Sequence, residues 1–237
     1  MKKRILAIAL ALAMLLPVFA VGSLAATPEE QAQALLDQTS AIFESGKYTL
    51  KARGPALGSS KPMSIVFIMD GDRSMFEANM DWVAMLQAVG TNKITDTLLG
   101  WFMRLYFGNK ARYIVEHDEN LVVFPSRRLY VEVPEATGPF DFADLFNVPE
   151  RTATTVSEPV IGGKKYLCAA LENEEFTTSY YYLNGTLKRI GMEAPDPETG
   201  QTETFAFEID LFSPTVDESY FSTSGMRKAS IGLPSIF

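Results

Sequence analysis

The chain carries one histidine and one cysteine, so chemistry that needs either has little to build on. His117 stands in Glu116-His117-Asp118-Glu119-Asn120, where acidic neighbours could orient an imidazole as a base or help it hold a metal ion. No second histidine or nearby cysteine completes a ligand set, and a solvated turn at a strand end accounts for the same run of acids. Cys168 lies in Lys165-Tyr166-Leu167-Cys168-Ala169-Ala170-Leu171, surroundings that suit a small buried hydrophobe better than a nucleophile. Being alone, it forms no internal disulfide. Asp70-Gly71-Asp72 is spaced like the start of a calcium loop, but the later oxygen ligands and the terminal glutamate are absent, and a hairpin tip is the better reading. There is no Gly-x-Ser-x-Gly elbow, and no glycine-rich phosphate loop follows a strand. The expectation is a non-enzymatic protein with no catalytic residue, no metal and no cofactor.

A second set stands out by composition. Methionines and aromatic rings concentrate between positions 67 and 103, and flexible thioethers beside rigid rings suit apolar ligands of variable shape. The cavity candidates are Phe67, Met69, Phe76, Met80, Trp82, Met85, Trp101 and Phe102. The same residues would also make an ordinary core. Plain core is the commoner use of such residues, but a strongly curved sheet with helices on its concave side leaves space, and that geometry raises the case for a cavity.

Placing those side chains falls to a mainly β chain (α+β). Residues 104–133 read as a meander, with runs of Tyr, Val, Ile and Phe cut by Gly108-Asn109, Asp118-Glu119-Asn120 and Pro125-Ser126. Ahead of it, Thr27-Pro28-Glu29-Glu30 is a capping box with proline at the first helical position. Leu35, Leu36, Thr39, Ile42 and Phe43 then recur at helical spacing until Gly46 supplies a left-handed stop. Strands are predicted over 47–53, 64–70 and 74–80, the last two joined at Asp70-Gly71-Asp72-Arg73, with 54–62 as a loop. Residues 81–103 break the strand rhythm and predict one or two short helices interrupted at Gly90. Residues 140–146, between Pro139 and Pro149, predict a short helical or turn element. Strands resume over 152–159, 164–171, 176–183 and 186–192, with Asn184-Gly185 as a two-residue type I′ turn. Residues 203–212 alternate most cleanly, Phe205, Phe207, Ile209 and Leu211 opposing Thr204, Ala206, Glu208 and Asp210. The tail from Ser213 reads as irregular. About ten or eleven antiparallel strands curl instead of staying flat, with the N-terminal helix and the inserted helical region against the concave side.

The N-terminus adds a compartment. Met1-Lys2-Lys3-Arg4 is a basic head, residues 5–20 form an apolar run broken at Pro17, and Ser23 and Ala25 occupy the small-residue positions of a cleavage site. Residues 1–25 therefore read as a secretory signal peptide; an uncleaved anchor is the alternative, disfavoured by the short run. No cysteine lies near that site to carry a lipid. The mature chain is expected in the extracellular, periplasmic or cell-envelope space, without stable membrane insertion. Removing 25 of 237 residues leaves 212, which one domain over 26–237 can fill. The formal charge of −8 falls to −11 once Lys2, Lys3 and Arg4 are gone. Such a surface repels phosphate, so nucleic acid and strongly anionic membrane faces are poor partners, and a monomer is expected.

The order of these elements resembles a known family. A leading helix, a hairpin tipped by Asp70-Gly71-Asp72 and an inserted helical region come first. A meander through Ala111-Arg112-Tyr113-Ile114, Leu121-Val122-Val123-Phe124-Pro125 and Leu129-Tyr130 follows, then the Asn184-Gly185 hairpin. Together these resemble the periplasmic lipoprotein-carrier family (the LolA-like fold) and related cell-envelope lipid-binding proteins. Asp217-Glu218-Ser219-Tyr220-Phe221 is similar to the closing segment of that group. The resemblance covers most of the mature chain and implies an unclosed β-barrel whose helices plug a hydrophobic cavity for acyl chains. A lipid or acylated protein then becomes the expected partner, and Arg73, Arg104 and Arg112 are the positions available for the family's functional arginine. Other members use the half-barrel as a sensor or interaction module. That is the alternative here: a filled core that acts through its acidic exterior.

Overall fold

Helix α1 (Pro28–Glu44) begins as its capping box predicts. The Thr27 hydroxyl accepts from the Glu30 amide at 3.2 Å, and the Glu30 carboxylate accepts from the Thr27 amide at 2.9 Å. Two donors that a helix start leaves orphaned are thereby satisfied. Gly46, at φ +60°, turns the chain into β1 (Lys47–Ala56). The computed structural model describes residues 26–56, 59–79, 81–89, 93–116, 119–133, 153–172, 176–195 and 202–229. Met80, His117 and the segment 140–146 lie outside them.

The chain continues through β2 (Ser59–Asp70), β3 (Arg73–Asn79), α2 (Trp82–Val89), α3 (Lys93–Phe107), β4 (Lys110–Glu116), β5 (Glu119–Phe124) and β6 (Leu129–Val133). After these come β7 (Thr155–Ser157), β8 (Val160–Ile161), β9 (Lys164–Lys165), β10 (Leu167–Glu172), β11 (Thr177–Leu183), β12 (Thr186–Pro195), β13 (Thr202–Ser213) and β14 (Arg227–Lys228). Twelve strands make one curved sheet in the order β14-β6-β5-β4-β3-β2-β1-β13-β12-β11-β10-β7, while β8 and β9 pair apart. The two edge strands do not pair with each other, so the sheet stays open. Among the described residues all pairings are antiparallel except β14 beside β6. The protein is mainly β, with an unclosed sheet and few helices.

Turn chemistry holds where it was local. Asn184 and Gly185 sit at φ +52° and +72°, the two positive values that a type I′ turn requires, and Gly71 at +65° tips the β2–β3 hairpin. Other expectations shift. The loop expected over 54–62 is mostly strand, because β1 and β2 run past it; Gly54 is needed there because a Cβ would lie 2.3 Å from the Phe207 ring. Helix α3 extends to Phe107, taking Arg104 to Phe107 from the expected meander, and ends at Gly108 with φ +79° and its amide bonded to the Arg104 carbonyl. Leu, Tyr and Phe fit either structure; the left-handed glycine decides where the helix stops. The tail is irregular as read, apart from a short turn at Glu218–Tyr220 and β14, and it lies across the sheet as a strap.

Register assigns the faces. Leu50 lies opposite Phe67, Phe67 opposite Phe76, Phe76 opposite Tyr113, Tyr113 opposite Val122, and Val122 opposite Val131. These residues share one face, and both helical elements pack on it. Ala32 and Leu36 of α1 join Tyr48, Leu50, Phe67, Tyr180, Tyr182 and Ile190 in the main core. Trp82, Met85, Met103 and Phe107 of α2–α3 pack on Phe124, Val131 and Val122. On the opposite face, Ile68, Met75, Ile114, Leu121 and Val123 are covered by Val216, Tyr220, Phe221 and Met226 of the strap. Each of these large apolar side chains contributes about 1.5–3 kcal/mol when fully buried, so the sheet between β2 and β6 is held from both sides.

Candidate ligand-binding site

The face beneath the helices is the place to look for a ligand, and it divides into three zones. Under α1 it is filled: Tyr48, Leu50, Phe67 and Tyr180 are all buried, and Tyr48 lies 5.1 Å edge-on to Phe43 of the helix. The Thr39 hydroxyl donates to the Leu35 carbonyl and receives the Tyr182 hydroxyl at 2.9 Å, a polar anchor inside this core. Burial pushes the Tyr180 and Tyr182 phenols well above their usual range.

Under α2–α3 the face is also covered. The Trp82 indole N–H donates to the Gly108 carbonyl at 2.6 Å, and Gly100 of α3 rides so close to α2 that a Cβ would fall 2.6 Å from the Val83 Cα. A cleft of about 230 Å³ remains at the rim, where the helical insert meets the ends of β2 and β3; Lys61, Met63, Asn79, Trp82 and Arg104 help to line it. That is below the usual ~300–1,000 Å³ of ligand pockets.

Between these covers lies an unfinished strip. Met69, Phe76, Tyr113 and Val115 are only half-buried, and Tyr113 stands between the core under α1 and the one under α2–α3. Its hydroxyl is buried and has no hydrogen-bond partner among the described residues, and burial raises its pKa. A buried phenol without an acceptor forfeits about 1–3 kcal/mol, which an acceptor brought by a ligand would return.

The sequence-derived candidates that the structure describes therefore do not meet in one cavity. Phe67 is core under α1, with Met69 and Phe76 at its margin; Trp82 and Met85 pack under the helical insert. Trp101 and Phe102 point away from the sheet, with 66% and 50% of their surface exposed. Tyr113 was not among the candidates, because the signal followed was methionine and aromatic density, and Tyr113 falls outside that run. Nor do the three arginines converge. Glu77, 4% exposed, is held by Arg112 at 2.8 and 3.0 Å and by Lys110 at 3.0 Å, and Arg112 also donates to the Tyr220 carbonyl at 2.7 Å. Arg73 binds Glu218 at 3.1 Å, together with Asp70 and Glu116, and lies 4.6 Å over the Phe221 ring. Both clamp the strap on the face away from the helices, while Arg104 lines the cleft on α3. Among the described residues no three His, Cys, Asp or Glu side chains gather as a metal site. Cys168 is buried with its pKa raised by desolvation. No helix among the described residues is long and apolar enough to cross a membrane.

No known family matches the sequence, and no curated protein matches it. Among solved structures, it is similar to an uncharacterized conserved protein from Thermus thermophilus at TM-score 0.36 and 9% identity, over 84% of this chain and 98% of that one.

Proposed function

We propose that this is an exported, non-enzymatic protein of the cell envelope, of LolA-like type, that holds a lipid or acylated ligand on the helix face of its open sheet. The observation that carries this reading is the strip between the two helical covers. It offers apolar Met69, Phe76 and Val115 for a chain, and the unpartnered Tyr113 hydroxyl for an ester or carboxyl oxygen. The nearby cleft, with Met63 and Trp82 beside Lys61 and Arg104, suits the polar end of such a molecule. Each methylene removed from water adds about 0.8 kcal/mol, so an acyl chain needs few polar contacts to bind. The sequence of elements that suggested the family agrees with this use of the sheet.

The filled core under α1 favours a second reading, an interaction or sensor domain that holds no lipid and works through its acidic exterior. The two are separated by native mass spectrometry and solvent extraction of the purified mature chain. Co-purifying lipid, with a fluorescent fatty acid displaced by unlabelled acid and weakened by Tyr113→Phe and Phe76→Asp, is the result expected of the first. A ligand-free protein that takes up no fatty acid would leave the second.

A further inference from the structure

Helix α3 has apolar residues on both sides. Its inner side packs through Gly100, Met103 and Phe107. Its outer side presents Leu98, Leu99, Trp101, Phe102, Leu105 and Tyr106, each between 45% and 68% exposed. Leu98, Trp101, Phe102 and Leu105 follow the i, i+3, i+4, i+7 spacing of one stripe, and Phe102 and Tyr106 stack with ring centroids 4.3 Å apart. Large contiguous apolar patches on a protein surface mark a contact site.

The charge around the stripe says what it contacts. Arg127 donates to the Leu105 carbonyl at 2.6 Å, which brings the turn after β5 against the helix, and the Arg227 amide bonds to the Arg128 carbonyl at 2.8 Å, which adds β14. Arg104, Arg127, Arg128 and Arg227 are exposed, and none makes an ion pair among the described residues; the nearby Glu132 is taken by Lys228. Trp101, Arg104, Leu105 and Arg127 frame a groove of about 370 Å³. On a chain of net charge −8 the described residues at this end are locally basic, so the whole-chain argument against anionic surfaces does not carry over to it. We infer that the outer side of α3 docks the protein on an anionic lipid bilayer, with Trp101, Phe102, Leu105 and Tyr106 at the acyl boundary and the arginines among the phosphates. Tryptophan, tyrosine and leucine with arginine at the margin are the composition of a helix lying in a membrane interface. At 15 residues, α3 is too short to span and is suited to lie flat. The inference does not depend on a ligand on the inner face: Arg104 borders both the cleft and the outer groove, but Phe102, Leu105, Tyr106 and Arg127 do not line the cleft.

The test uses the mature chain with phosphatidylcholine vesicles, with and without phosphatidylglycerol. Trp82 is buried, so a fluorescence response to the bilayer comes from Trp101. Flotation with the anionic vesicles only, and quenching of tryptophan by brominated acyl chains, is expected. Arg127→Gln and Arg128→Gln should each weaken binding about fivefold, added salt should weaken it further, and Leu105→Ser with Phe102→Ser should abolish it. All four positions are exposed, so an unchanged melting temperature shows that the fold survives. Failure to bind anionic vesicles overturns the inference, as does binding that ignores these substitutions. A concentration-dependent dimer abolished by Leu105→Glu also overturns it, in favour of a second copy of the chain as occupant. Loss of fatty-acid uptake with vesicle binding intact would count against the proposed function alone.

Discussion

Helices α1 and α3 cover the same face of one sheet, and they do so differently. α1 turns Ala32, Leu36 and Thr39 inward and leaves Glu29, Asp37 and Gln38 in water, so its sides divide by polarity. α3 buries Gly100 and rests Met103 and Phe107 on the core, yet presents leucines and rings outward as well. The first arrangement is what a helix needs to close a core. The second exceeds what packing needs, and a surface that retains exposed apolar area has something to meet.

If that contrast is right, the largest loss of stability should come from α1. Leu36→Ala, at a site 1% exposed among Tyr48, Leu50 and Tyr182, should cost about 3–4 kcal/mol in urea unfolding. A cost near that of a surface change would mean α1 is a detachable plug, and would merge the two covers into one class. Next comes the strap. Arg112→Ala leaves the buried Glu77 with Lys110 alone and frees the Tyr220 carbonyl, and about 2–3 kcal/mol should be lost. Arg112→Lys should recover only part of it, since one ammonium cannot span both acceptors.

How much of this was legible follows the range of the interactions. Thr27 to Glu30, Gly46 and Asn184-Gly185 declared themselves because a cap or a tight turn is decided within four residues. The alternation of β13 was plain, yet a bulge in its pairing with β1, across more than half the chain, turns Leu211 outward opposite Lys51 and brings Phe212 to the core in its place. Residues 217–221 stood out only through the family resemblance, and which side chains anchor the strap was not legible, because Val216, Tyr220, Phe221 and Met226 are single anchors with no period. In α3 the apolar residues run all round, so periodicity showed a helix without showing which side faces in. For that reason Phe67 and Trp101 entered the candidate site together and lie in different environments.

Titration should separate the covers at opposite ends of the pH scale. Arg73, then Lys47, hold the Asp70 carboxyl below its ordinary range, and the Ser219 hydrogen bonds do the same for Asp217. A folded-state pKa below the unfolded value contributes stability that is present above the unfolded pKa and lost as pH falls through the folded one, so the strap should loosen below about pH 4. Tyr180 and Tyr182 are shifted the other way: their contribution is intact below the unfolded pKa and fades as pH rises above about 10, which loosens the core under α1. Amide exchange followed by NMR should show β5–β6 protection failing first in acid and β11 protection failing first in base. Both failing together at either end would erase the distinction.

The smallest effect is the most informative. Trp101→Ser and Leu105→Ser remove large apolar groups from a helix, yet both side chains are mostly in water already, so urea stability should change by less than about 0.5 kcal/mol. The same substitution at Trp82, whose indole is buried and bonded to Gly108, should cost several times more. If Trp101→Ser proved as damaging as a change at Trp82, the outer stripe would be part of the protein's own packing, and α3 would be a second α1. If stability holds while vesicle binding disappears, the outer residues serve contact with the bilayer, and the two helices divide one face between closing a core and meeting a membrane.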